Sequence, residues 1–122
     1  MPKGLLIYGF DKKDANIIYE SMNQQVQSSL FLKSAHRKES ETVETILESS
    51  YDNDFKNKNT KIIMFVNIEN SEIQQMLQTF PNTVERPIFC GLTKHNINWP
   101  FTELKNHLLE EQAHLKQQRS QK

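Results

Sequence analysis

The apolar residues of this chain fall into two kinds of run. Ile62 to Val66 is continuous, five residues without a polar interruption, the pattern of a strand covered on both faces. Just after it, Ile73, Met76, Leu77 and Phe80 stand at i, i+3, i+4 and i+7, a single stripe along a helix that folds back on such a strand. The same pairing occurs earlier in the chain. Gly4 to Phe10 reads as a strand, and Ala15, Ile18, Tyr19 and Met22 form the stripe of a helix that starts at Asp11 and runs to about Met22 or Gln25.

An offset of 58 positions superposes the two stretches without a gap. Leu5 to Tyr8 fall on Ile63 to Val66, the helix stripes coincide, Leu30 and Phe31 fall on Ile88 and Phe89, and Val43 and Ile46 fall on Phe101 and Leu104. Strands, stripes and loop lengths agreeing in one register predict a duplicated β-α-β-α unit, about 4–50 and 61–117, within a single domain that ends in a frayed tail at 118–122. The remaining elements are a short strand at Leu30–Leu32, a helix at Glu41–Ser50 capped by Ser40 or Thr42, a solvated loop at Tyr51–Thr60, a strand at Ile88–Leu92 and a helix from Pro100 to about Gln117. Every strand-to-strand connection contains a helix, and continuous apolar strands need helices on both faces. The predicted fold is therefore α/β, a four-stranded parallel sheet in three layers, with a ferredoxin-like antiparallel α+β sheet as the alternative.

Charge changes the picture by exclusion. Fifteen basic residues balance fifteen acidic ones, so no bulk field draws the chain to nucleic acid or to a membrane surface, and neither is expected as a partner. The apolar run Leu5 to Tyr8 is too short for a signal-peptide core, and no run approaches the length that spans a bilayer. A single cysteine, Cys90, allows no internal disulfide and suits a reducing cytoplasm. With Gly4, Gly9 and Gly91 as its only glycines, the chain has no phosphate-cradling loop, and no cofactor is expected.

The segment Arg86-Pro-Ile-Phe-Cys-Gly-Leu-Thr-Lys-His-Asn-Ile-Asn-Trp99 is followed by an acidic amphipathic helix. It resembles a family of small bacterial proteins known as domain of unknown function 3783. The matching features are a strand ending in a Leu-Thr pair (Leu92 and Thr93), then Asn96 and Trp99, then a charged helix. Gly9-Phe10-Asp11 is similar to the family's strand ends, which run into an acidic helix start. The resemblance implies company rather than chemistry, since no activity is attached to the family.

Two sets of residues stand out as candidate sites. Thr93, Lys94, His95, Asn96, Asn98 and Trp99 bring a hydroxyl, an ammonium, an imidazole, two amides and an indole into one loop, a set suited to a small polar or anionic ligand. In a parallel sheet, the carboxyl ends of all strands share one rim, which adds His36 and Asp11. The bland account has Asn98 capping the last helix, Asn96 making a turn and Trp99 packing against the sheet. His107, Glu111 and His114 stand at i, i+4 and i+7 but fit no metal motif, so no metal site and no catalytic residue is assigned. The second set is Leu108, Leu109 and Leu115 on the last helix, which is longer than a short sheet needs for cover. They point to a homodimer or a protein partner. Two functions follow: a non-catalytic interaction or regulatory module, or, alternatively, a small-ligand sensor or enzyme that uses the strand-end rim.

Overall fold

A computed structural model describes residues 2–26, 29–49 and 54–120, the last five by backbone alone. The elements run β1 (Gly4–Tyr8), α1 (Lys12–Asn23), β2 (Phe31–Ser34), α2 (Val43–Glu48), β3 (Ile62–Val66), α3 (Asn70–Gln78), β4 (Ile88–Gly91), a 3₁₀ turn (Asn96–Asn98) and α4 (Phe101–Ser120). Local chemistry sets the helix starts. Asp11 accepts the Asp14 N–H at 2.9 Å and Thr42 accepts the Thr45 N–H at 3.2 Å, each satisfying an amide that the first helical turn leaves open. Gly9 and Asn67 turn the chain out of β1 and β3 with φ of +92° and +59°, values that glycine and asparagine tolerate best.

The four strands form one sheet in the order β2-β1-β3-β4. Its two faces are both covered, as the unbroken apolar strands require. Leu5, Ile7, Ile63 and Phe65 pack under α1 and α3 with Ile18, Met22 and Met76. Leu6, Tyr8, Ile62, Met64 and Val66 pack under α2 and α4 with Val43, Ile46, Phe101, Leu104 and Leu108. Every residue of β1 and β3 is buried, so these two strands form the centre of a three-layer α/β structure.

Strand direction departs from the sequence reading. β1 pairs with β2 in parallel and β3 with β4 in parallel, but β1 and β3 run antiparallel, so the sheet is mixed rather than wholly parallel. Nor is it the ferredoxin-like alternative, because the two strands of each half are parallel neighbours with no strand between them. The physical reason lies in the seam. Leu6 pairs with Met64, Leu5 with Phe65 and Ile7 with Ile63, a register reciprocal about Leu6 and Met64, which two strands make only when they run in opposite directions. Each of the three layers carries one contact between residues 58 positions apart: Ser21 Oγ donates to the Thr79 carbonyl at 3.2 Å, Leu6 pairs with Met64, and Thr42 bridges Pro100. The last is reciprocal too, Val43 N–H donating to Trp99 O and Phe101 N–H to Glu41 O, both at 2.9 Å.

The ungapped correspondence breaks at the outer strands. Gly4 stands beside Phe31, whereas Ile62 stands beside Ile88, so β4 is shifted by one residue relative to β2. The displaced residue goes into the β4–α4 loop, where the 3₁₀ turn forms. At the ends of the helices, α2 is shorter than expected and α4 continues to Ser120, through the first three residues of the expected tail; Gln121 and Lys122 lie outside the described residues. Residues 50–53 of the expected helix end and solvated loop also lie outside them.

Candidate functional site

Antiparallel pairing at the seam separates the residues that a common rim would have gathered. The carboxyl ends of β1 and β2 lie at one end of the sheet, those of β3 and β4 at the other. Asp11 and His36 therefore do not join Thr93–Trp99, and the combined rim is corrected to two separate sets. At the first end, Asp11 is spent as a helix cap. His36 is buried, its N–H donates to Ser34 Oγ at 3.2 Å, and its Nδ1 has no partner among the described residues. Ser34 Oγ donates to the Asp54 carbonyl at 2.5 Å and Lys58 N–H to the Gly9 carbonyl at 2.9 Å, so residues 54–58 cross over this end.

At the second end the loop folds on itself. Asn96 is 7% exposed and uses both ends of its amide: Oδ1 accepts the Thr93 N–H at 2.8 Å and Nδ2 donates to the Gly91 carbonyl at 3.0 Å, while its backbone N–H donates to Thr93 Oγ1 at 3.0 Å. β4 is an edge strand whose even residues face β3, so the Gly91 carbonyl points outward; Asn96 occupies the place of a further strand there. The Asn96 side chain thus caps the edge of β4. Asn98 does not cap α4 either. The carbonyls of Glu41 and Glu39 meet the amides of Phe101 and Thr102 at 2.9 Å each. Lys94 and Asn98 are exposed and border a shallow dish of about 600 Å³ with Glu44 and Asn67.

The best-formed concavity near this loop lies on its other side, between β4 and α4. A groove of about 400 Å³ has Cys90, Trp99, Leu104 and Leu108 as its apolar floor and Thr93, His95, His107 and Glu111 along its rim. Trp99 is half-buried, less covered than a core residue, with the His107 ring edge-on at 5.2 Å. His107 Nε2 stands 3.2 Å from Glu111 Oε1. Burial, and then the Glu111 carboxylate, push the Cys90 thiol up to about 12, so it is a weak nucleophile. Among the described residues no group of three His, Cys, Asp or Glu side chains stands close enough to hold a metal.

Of the residues first singled out, Thr93, His95, Asn96 and Trp99 line this groove. Leu108 belongs to the core at 7% exposed, Leu109 is half-buried, and Leu115 is 55% exposed. Sequence reasoning passed over Cys90 and Leu104 as floor and His107 and Glu111 as rim. The signal was present in the spacing of Leu104, His107, Leu108 and Glu111, one face of α4, but only the fold shows that this face meets β4.

Among the described residues no helix is long and apolar enough to cross a membrane. No curated protein and no solved structure matches the chain. A family model does match, over residues 61–115, the stretch that runs from the start of β3 into α4 and contains every residue of the groove. That model is of the family described as Domain of unknown function (DUF3783), to which the second half of the chain is similar.

Proposed function

We propose that the chain is a non-catalytic interaction module of the cytoplasm, built from two copies of one β-α-β-α unit, and that it receives a protein partner in the groove between β4 and α4. The observation that carries this reading is the division of labour around the loop. Its buried amide is spent inside the fold, its other polar groups sit on the rim, and the floor that remains is indole, thiol and leucine. A floor of that kind rewards an inserted apolar side chain and offers little to a polar substrate. The thiol on the floor is held at about 12, and the contact of His107 with Glu111 lies on the rim, with both side chains open to solvent. Duplication is supported by the contacts between residues 58 apart in each layer and by a family match that spans one unit of the two.

Photo-cross-linking in the producing cell tests the reading. A benzophenone amino acid at Glu111, exposed on the groove rim, is expected to give a discrete protein adduct, whereas the same group at Gln74, exposed on α3 across the sheet, is expected to give none. Equal labelling at both positions, or no adduct at Glu111, refutes it.

A further inference from the structure

We propose that Lys61 is the recognition group of a phosphate site at the end of the sheet where β3 and β4 begin; the site is separate from the groove and does not rest on the interaction reading. Lys61 stands just before β3, and its side chain is only 9% exposed. A buried ammonium needs acceptors for its three N–H groups, because each was bonded to water before burial. One goes to the Lys58 carbonyl. The Glu85 carboxylate stands 4.0 Å away, beyond hydrogen-bond reach, and is itself 69% exposed, while the Phe10 ring lies at 5.8 Å. Two N–H groups of a nine-tenths buried cation are therefore without an acceptor among the described residues.

The first half of the chain shows what such a lysine is placed to hold. Lys3, 58 positions earlier, stands in the same place before β1 and donates to the Glu72 carboxylate in the first turn of α3 at 2.8 Å, although its side chain is less buried, at 28% exposed. The equivalent carboxylate for Lys61 is that of Asp14, 58 positions before Glu72 and in the first turn of α1. It is one methylene shorter and makes no ion pair among the described residues. The second lysine thus has the burial of an ion-paired residue without the carboxylate.

A cavity of about 140 Å³ adjoins Lys61, bordered by Asn59, Thr60, Glu85, Arg86 and Gln112. Pockets for drug-sized ligands start at roughly 300 Å³, so this one suits a single small group. Arg86, its guanidinium over the rings of Phe80 and Phe89, adds a second positive charge to the border. The Asn59 and Gln112 amides and the Thr60 hydroxyl make no hydrogen bond among the described residues. The border therefore sets two cations and three neutral polar groups against one carboxylate. A carboxylate ligand has two oxygens to share among these donors, whereas a phosphate brings a third acceptor oxygen and a larger charge, which makes it the better match. Glu85, exposed and loosely held, is the group that it displaces.

Titration of the full chain with inorganic phosphate against sodium chloride at constant ionic strength, followed by ¹H–¹⁵N NMR, is expected to give shifts in the amides of residues 59–61 and 85–86 that saturate in the millimolar range. Lys61→Met is expected to weaken binding about tenfold or more, whereas Lys3→Met, at the equivalent position of the other half, leaves it unchanged. Glu85→Gln removes the competing carboxylate from an exposed position and is expected to tighten binding about threefold. O-phosphoserine binding as well as inorganic phosphate assigns the site to a phosphate group carried on a larger molecule, and its exclusion assigns the site to free phosphate; either result supports the proposal. No saturable shift, the same shifts from chloride alone, or equal binding by Lys61→Met overturns it. Should Lys61→Met fail to fold, Glu85→Gln decides, and binding that is unchanged or weaker in that variant overturns the proposal.

Discussion

Replacing Asn96 separates the edge-cap role from a ligand role. Its side chain makes two hydrogen bonds inside the loop, accepting from Thr93 N–H and donating to the Gly91 carbonyl. Asn96→Ala removes both at a nearly buried position. At about 1 kcal/mol net per bond, and with Gly91 and Thr93 exposed enough for water to replace part of the loss, the cost is about 2 kcal/mol. For a chain of this size the urea midpoint then falls by about 1 M at unchanged slope. Asn96→Asp is the more discriminating change. It keeps the acceptor for Thr93 but sets a carboxylate oxygen against the Gly91 carbonyl, so its cost should exceed that of alanine and reach about 3 kcal/mol. Urea unfolding followed by far-UV circular dichroism orders the three proteins. If the aspartate variant is as stable as the wild type, or more stable than the alanine variant, the donor role of Nδ2 is wrong.

Three further outcomes follow from particular contacts. Gly9→Ala should destabilise by about 2 kcal/mol or more, because φ is +92° and an added Cβ would lie 2.1 Å from the Thr60 carbonyl oxygen, whereas Gly91→Ala meets nothing within 4 Å and should be nearly neutral; thermal melts compare them. Cys90, its thiol pushed up to about 12, should react with iodoacetamide at pH 8 about a thousandfold more slowly than a free cysteine, and at the ordinary rate once unfolded in urea, as mass spectrometry of timed samples would show. Lys3 donates to Glu72 at 2.8 Å, which holds the Glu72 carboxyl below its ordinary value. A lowered carboxyl stabilises above its unfolded value and ceases to do so as pH falls through its folded one, so the stability gap between wild type and Lys3→Met should close on acidification, with Glu72 titrating higher in the variant by NMR.

How much of this was legible beforehand depended on what periodicity encodes. The unbroken run Ile62–Val66 and the stripe ending at Met76 gave a two-faced strand and its covering helix, because burial leaves its mark residue by residue. Asp11 and Thr42 were legible as caps because a cap is a local bond. Direction was not, since a strand buries the same side chains whichever way its neighbour runs, and the pairing of Leu6 with Met64 is a choice made across the sheet. The candidate site divided for that reason: His36 and Asp11 left with one end of the sheet, and the loop at Thr93–Trp99 kept its neighbours in sequence but gained Cys90 and Leu104 from elements that only packing brings close. The one-residue shift of β4 was hidden as well, because Ile88 and Phe89 are both apolar and either satisfies the pattern.

The antiparallel seam between β1 and β3 also governs how the chain must assemble. Each half, folded by itself, would present a fully apolar strand with a bare hydrogen-bonding edge, the kind of surface that pairs with whatever strand arrives first. The proper partner is joined to it through the connection from Ser49 to Lys61, and a connection of that length holds it at an effective concentration on the order of millimolar, far above that of any other copy in dilute solution. Cutting the chain there would turn a unimolecular search into a bimolecular one, with reassembly that depends on concentration and with further copies of each half competing for the same edge. That connection thereby decides that each molecule completes its own sheet.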